Sequence, residues 1–151
     1  MRIIIDTREQ TPFTFPDTIT TERGTLQTGD YSLKGLGLTE LCAIERKSLP
    51  DLVGCCTGSN RARFKRELHR LRGYRCKAVV ITADVDDVMN HGYRSRIAPS
   101  SVLGSVASWQ TRYQVPFVFA GAYGAEYTLA IFRNFIRQLE EVAGAIDLQL
   151  K

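Results

Sequence analysis

Short apolar runs alternate with amphipathic segments along this chain, and this alternation restricts the fold more than any other feature. Three β-branched or aromatic runs predict buried strands: residues 2–6 (RIIID), 77–82 (KAVVIT) and 115–121 (VPFVFAG). Residues 60–72 and 125–142 carry apolar residues at every third or fourth position, which predicts helices. Strands that alternate with helices predict an α/β fold in which helices cover both faces of one central sheet.

Other segments refine this prediction. Residues 24–46 contain several glycines and predict two or three further strands, the last beginning near Glu40. Such hairpin-like strands would make the central sheet mixed rather than purely parallel. Shorter helices are expected after Ser48 and Asp84, both good N-cap residues, and a longer helix is expected over 99–113.

The composition favours a single globular domain over residues 1–151. Of the 151 residues, 44% are hydrophobic and 24% are charged. No apolar run approaches the roughly 18 to 20 residues that a membrane helix needs, so we expect a cytoplasmic protein without membrane contact. The four cysteines lack C-x-x-C spacing, and we expect reduced thiols without a structural zinc site.

Positive charge is concentrated in one region. Eight of the twenty lysines and arginines lie between Arg61 and Lys77, with Glu67 as the single acid among them. This pattern indicates contact with a polyanion such as DNA, although a solvated helix face would have the same composition. The predicted phosphate contacts are Arg61, Arg63, Lys65, Arg66 and Arg70.

Charged residues also interrupt the apolar runs near residue 45. If the segments around Asp30 and Glu45 form neighbouring strands, their carboxylates can meet and would repel each other unless a cation lies between them. Oxygen ligands favour a hard ion, Mg²⁺ or Mn²⁺. Lys47, two residues after Glu45, would point to the same face of a strand and could orient a water molecule. Ordinary ion pairs at strand ends are the alternative.

Two further acids extend this candidate site. Asp51 lies about one helical turn into the segment after Ser48, where it could return as a ligand or as a supporting group. Asp6 ends the first strand and is another candidate ligand, with Arg8 and Glu9 beside it.

Together these residues form a longer pattern. "GDYSL" at 29–33 and "IERKSLPD" at 44–51 fit G-D-Xn-E-R-K-X3-D, which resembles the signature of the XPF-type structure-specific endonucleases. These enzymes are a branch of the PD-(D/E)XK nuclease superfamily. "IDTRE" at 5–9 also resembles their first strand. The resemblance extends through residue 82 and becomes generic after Asp84.

The resemblance implies a restriction-endonuclease-like fold and Mg²⁺- or Mn²⁺-dependent cleavage of DNA near junctions between duplex and single strand. It implies that Asp30 and Glu45 bind the metal and that Lys47 is catalytic. It also implies a homodimer formed through late helices. The supporting active-site residues that it implies are Asp6, Glu9, Arg46 and Asp51.

The resemblance leaves several alternatives open. Relatives usually carry helix-hairpin-helix or helicase domains, which we do not expect in this chain. A stand-alone nuclease domain of this size resembles the compact versions found in bacteria and their phages. We therefore expect a nucleoid-associated protein of a bacterial or phage-infected cell, with a role in repair, recombination or phage DNA processing. A non-catalytic DNA-binding partner subunit, an RNase and a resolvase-like enzyme are the competing hypotheses.

Overall fold

The computed structural model describes residues 1–149, and the α/β prediction is confirmed. Over these residues the chain forms six strands, six α-helices and one short 3₁₀ helix at Gly121–Tyr123. The strands are β1 Arg2–Asp6, β2 Thr20–Gly24, β3 Tyr31–Leu33, β4 Cys42–Lys47, β5 Cys76–Ile81 and β6 Phe117–Phe119. The helices are α1 Leu38–Leu41, α2 Leu49–Gly54, α3 Gly58–Leu71, α4 Val85–Met89, α5 Pro99–Tyr113 and α6 Gly124–Gln149.

The strands form one mixed sheet in the order β2-β1-β3-β4-β5-β6. β3 is antiparallel to β1 and β4, whereas β2, β5 and β6 join their neighbours in parallel. Five strands therefore point the same way, and their carboxyl ends meet at one edge of the sheet, here called the carboxyl edge. β3 begins at that edge. Loops that follow the parallel strands are thus collected where ligand sites form in α/β proteins.

Helices cover both faces of this sheet, as the sequence predicts. On one face, α2, α3, α4 and α5 share a core in which Phe64, Leu68 and Trp109 are almost fully buried. On the other face, α6 packs Leu129, Phe132 and Phe135 against the strands. The periodic apolar residues of the sequence are therefore the ones that attach each helix to the sheet.

Two segments differ from the prediction. Glu40, expected to start a strand, lies in the single-turn helix α1, which follows Gly37 in a left-handed conformation with φ of 71°. β2 lies earlier than the region predicted to form strands. Its sequence TTERG is polar because β2 is an edge strand, so it lacks the apolar pattern by which buried strands are identified.

Candidate active site

The sheet brings the predicted acidic residues together at the carboxyl edge. Asp30 immediately precedes β3, and Glu45 and Lys47 end β4. These three side chains line two adjoining cavities, one beside α3 and one beside α2. We refer to the two cavities together as the carboxylate cleft.

Gly29 fixes the approach of Asp30 to β4. Its φ of 81° is disfavoured for residues with a side chain, and an added Cβ would lie 3.0 Å from the Ile44 carbonyl oxygen. The close approach lets the Asp30 amide donate a 2.8 Å hydrogen bond to the Ile44 carbonyl. Asp30 Oδ2 in turn accepts a 2.7 Å hydrogen bond from the Arg46 amide, so Asp30 is fixed beside Glu45. The close approach of Gly29 to Ile44 therefore explains why the motif has a glycine at this position.

Lys47 is enclosed by groups that favour its charged form. Its Nζ lies 2.7 Å from Glu45 Oε1, 3.9 Å from Glu67 Oε2 and 4.7 Å from the centroid of the Phe64 ring. Glu45 and Lys47 point to the same face of β4, the face that α3 covers. The ammonium is therefore held between two carboxylates and an aromatic ring.

Burial and crowding of charge perturb the two acids strongly. Burial raises the pKa of Asp30 to about 6, although the hydrogen bond from the Arg46 amide opposes the change. Burial also raises the pKa of Glu45 well above its usual range, and the charges of Asp30 and Glu67 add to this effect. For Lys47, burial lowers the pKa, but the carboxylates of Glu45 and Glu67 outweigh burial and raise it. Asp30 and Glu45 are thus costly to ionise together without a further cation.

This donor set fits a hard divalent cation. Asp30 uses Oδ2 and Glu45 uses Oε1 in the contacts described, which leaves the other oxygen of each carboxylate available to a ligand. Across residues 1–149, no three acidic, histidine or cysteine side chains form a complete metal site. Two carboxylates suffice for Mg²⁺, which typically keeps several water ligands and also binds substrate phosphate.

Asp6 lies at the same edge, but its carboxylate is committed to other partners. Oδ1 accepts hydrogen bonds from the Arg8 amide and Nε at 2.9 and 2.7 Å. Oδ2 accepts from the Leu26 amide at 2.7 Å and from Arg8 Nη2 at 3.1 Å. Burial raises the pKa of Asp6, but the bonds from Arg8 and Leu26 outweigh it and lower the pKa overall. Arg8 lines the carboxylate cleft, whereas Asp6 does not line it and instead holds Arg8 through these hydrogen bonds.

The remaining motif residues stabilise the rim of the cleft. Arg46 donates to Thr11 Oγ1 at 2.8 Å, lies 3.8 Å from Glu9 Oε1 and stacks 5.6 Å from the Phe13 ring. These contacts attach the loop after β1 to β4. Asp51 Oδ2 accepts a 2.6 Å hydrogen bond from the Ser48 hydroxyl, and Ser48 Oγ caps α2, as predicted. Glu9, Arg46 and Asp51 all line the cavity beside α2.

The basic residues predicted to contact phosphate lie on different sides of α3. Arg63, Arg66 and Arg70 share one stripe of the helix and line the carboxylate cleft. Arg61 points to the core instead, where it donates to Ser105 Oγ at 2.8 Å and stacks 5.1 Å from the Trp109 ring. Lys65 is half-buried and does not line the cleft.

Glu67 is the site residue that sequence reasoning missed. It lies on the same stripe as Arg63 and Arg70 and lines the cleft with Asp30 and Glu45. Its position three residues after the core residue Phe64 was a usable signal, since the next turn of a helix presents nearly the same face. The sequence suggested only that it relieved the positive charge of the helix.

Comparisons with known proteins agree with this geometry. A family model described as the ERCC4 domain matches residues 5–123, which include every element of the carboxylate cleft. The chain belongs to the ERCC4 domain family. The XPF-type resemblance is therefore confirmed. A comparison with curated proteins finds no significant match.

Solved structures show the same fold for this ERCC4 domain. XPF from Aeropyrum pernix superposes with a TM-score of 0.70 at 18% identity, covering 95% of this chain and 69% of that chain. XPF from Aeropyrum pernix in complex with DNA superposes with a TM-score of 0.67 at 19% identity, covering 91% of this chain and 66% of that chain. Within residues 1–149, the ERCC4 domain has no helix long and apolar enough to cross a membrane.

Proposed function

We propose that this ERCC4 domain is a metal-dependent endodeoxyribonuclease that hydrolyses phosphodiester bonds in branched DNA or at junctions of duplex and single strand. The observation that carries the proposal is the carboxylate cleft, in which Asp30, Glu45 and Lys47 meet beside three arginines of α3. Paired carboxylates with an adjacent ammonium are suited to phosphodiester hydrolysis. The structural likeness to an XPF in complex with DNA supports DNA as the substrate.

Asp30 and Glu45 would hold the metal through their available oxygens, with Asp51 close enough to the cleft to act through an intervening water. A Mg²⁺ or Mn²⁺ ion bound there would polarise the scissile phosphate and lower the pKa of a water molecule. Lys47 orients that water or offsets the negative charge that develops on the phosphate. Asp6, Arg8, Glu9 and Arg46 position the loops around the cleft.

Phosphates on either side of the scissile bond would bind Arg63, Arg66 and Arg70. Such contacts fix the position of the DNA without reading its sequence, and they weaken steeply as salt is added. A cleft that is acidic at its centre and basic along one wall admits the phosphate only where a cation offsets the carboxylates. Metal binding and substrate binding are therefore expected to reinforce each other.

Cleavage assays on defined substrates test this function. The protein is incubated with labelled flap, fork, four-way and single-stranded DNA and with RNA, in Mg²⁺, Mn²⁺ or EDTA, beside Asp30→Ala and Lys47→Ala. We expect wild-type cleavage of branched DNA with either metal, and loss of cleavage in EDTA and in both variants. Binding of DNA without cleavage of any substrate would identify a non-catalytic partner subunit, and cleavage of RNA alone would identify an RNase.

We further propose that the active form is a homodimer assembled through α6, as the family resemblance implies. Residues 140–149 of this helix extend beyond the sheet and are exposed on all sides. Two exposed apolar side chains on one face of this extension support the proposal: Val142 and Ile146.

A further inference from the structure

Glu67 is the single acid on α3, whose other charged residues are basic. Ion pairs within the helix do not account for it. Arg63 and Arg70 lie four residues before and three residues after it, which is the spacing of intrahelical ion pairs. Among residues 1–149, however, the Glu67 carboxylate has its ion-pair contact with Lys47, 3.9 Å away on β4, and with neither arginine. Glu67 is therefore directed at the cleft rather than at its own helix.

The position of Lys47 raises a question about metal binding. In the structure its ammonium bonds at 2.7 Å to Glu45, a carboxylate that the proposed function assigns to the metal. Glu45 Oε2 remains available to a dication, but a dication bound there would repel the ammonium and weaken its contact with Oε1. Lys47 is only 12% exposed, so an ammonium that lost its partner there would be poorly solvated.

Glu67 is the carboxylate that remains for Lys47. It approaches the ammonium from α3, and its carboxylate lies 3.9 Å away with its side chain 23% exposed. Phe64, one turn earlier on α3, places its ring against the same ammonium. One helix thus supplies both a charge and an aromatic face to Lys47, without using an oxygen of Asp30 or Glu45.

We propose that Glu67 is a positioning residue that keeps the Lys47 ammonium in the carboxylate cleft when Glu45 binds a divalent cation. This inference rests on the proposed metal-dependent nuclease function. It makes α3 part of the catalytic machinery as well as a wall for DNA. Lys47 exchanges Glu45 for Glu67 as its main partner, so the ammonium keeps a carboxylate beside it after the metal has bound.

The first test observes Lys47 directly and needs no DNA. The ¹H–¹⁵N signal of the Lys47 ammonium, assigned by its loss in Lys47→Ala, is recorded with and without Mg²⁺ for wild type and Glu67→Gln. We expect the wild-type signal to shift on addition of Mg²⁺ and remain sharp. In Glu67→Gln we expect it to broaden or disappear once Mg²⁺ binds, because the ammonium exchanges freely with solvent. A signal that stays equally sharp in both proteins would overturn the inference.

The second test separates positioning from binding. We expect Glu67→Gln to lower the single-turnover cleavage rate about 100-fold, while DNA affinity in EDTA is unchanged or slightly tighter. Glu126→Gln, which removes an exposed acid from α6, is the matched control and should retain the wild-type rate. If Glu67→Gln cleaves as fast as wild type, the inference fails and the nuclease function stands. If wild type cleaves nothing, that function fails, and the ammonium signal still decides the role of Glu67.

Discussion

Asp30 and Asp6 lie at the same edge of the sheet, yet their surroundings shift their pKa values in opposite directions. The pKa of Asp30 is raised to about 6 because burial and nearby acids disfavour its charge. The pKa of Asp6 is lowered because Arg8 and Leu26 donate to both of its oxygens. A carboxylate that is costly to charge gains most from a metal ion, whereas a fully paired carboxylate gains little. We therefore propose that Asp30 binds the metal and that Asp6, predicted from the sequence as a candidate ligand, has a supporting role.

Replacing each aspartate by asparagine tests this assignment in the metal-free protein. The raised pKa of Asp30 means that its contribution to stability is present below pH 4 and lost as the pH rises through 6. At pH 7.5 in EDTA, Asp30→Asn should therefore increase the free energy of unfolding by about 1–3 kcal/mol. Asp6→Asn should decrease it by about 1–3 kcal/mol, because its charged hydrogen bonds are lost. Chemical denaturation measures both changes.

The same variants distinguish a ligand from a supporting residue when Mg²⁺ is added. A bound ion stabilises the folded state by mass action. We expect Mg²⁺ to raise the melting temperature of wild type and Asp6→Asn by similar amounts and to leave Asp30→Asn unchanged. Equal Mg²⁺-dependent shifts in all three proteins would contradict the role of Asp30.

Gly29 and Gly37 offer a second comparison at the residue scale. Both have positive φ, 81° and 71°, but an added Cβ would meet the Ile44 carbonyl at Gly29 and open space at Gly37. Gly37→Ala should cost about 1–2 kcal/mol through backbone strain alone. Gly29→Ala should cost more and should abolish cleavage, because Asp30 moves away from β4. Denaturation and cleavage assays check both, and a Gly29→Ala variant with normal activity would contradict this account of the motif.

At the scale of secondary-structure elements, α3 combines core packing, the proposed DNA contact and the Glu67 carboxylate in one helix. Phe64, Leu68 and Leu71 are buried, and the adjacent stripe faces the cleft. The functional value of each basic residue therefore depends on which stripe it occupies. Charge composition alone does not reveal this, since arginines on every side of a helix contribute equally to it.

Two neutralising variants on α3 test this dependence. Arg66→Gln should weaken DNA binding about three- to tenfold at low salt and reduce the salt dependence by about one phosphate contact. Lys65→Gln removes the same charge one residue away, outside the cleft, and should have a smaller effect on both quantities. Fluorescence anisotropy over a series of salt concentrations provides the measurement. Equal effects of the two substitutions would indicate nonspecific attraction instead of contact in the cleft.

Elements whose apolar residues face the core, such as β5 and α5, were predicted closely because burial imposes the pattern. Arg61 was predicted to contact phosphate, but its packing against Trp109 depends on α5, which is distant in sequence. Glu67 was missed for a related reason, because its partner Lys47 lies on another element. Periodicity predicts which face of an element is buried, and it does not predict which side chains from different elements meet.

For the whole molecule, α6 is longer than the core it covers. Its apolar stripe packs on the sheet through Phe132 and Phe135 and continues through Leu139 to Val142 and Ile146. Residues 140–149 are all exposed, so Val142 and Ile146 at the end of the stripe are not covered within the described part of the chain. A helix of this kind gains stability by packing against another helix. The dimer predicted from the family resemblance would supply such a partner through a symmetric contact.

Substitution of Ile146 tests the dimer. Ile146→Glu places a charge on the exposed stripe and should weaken self-association at least about tenfold if the stripe forms the interface. Gly144→Glu introduces the same charge on the opposite side of the helix, where an added side chain meets open space, and should leave association unchanged. Sedimentation equilibrium of the three proteins measures the change. Monomeric wild-type protein at every concentration would reject the dimer, while equal dissociation constants for all three would place the interface elsewhere. Cleavage that fell with Ile146→Glu in proportion to the loss of dimer would further show that the carboxylate cleft acts only in the assembled form.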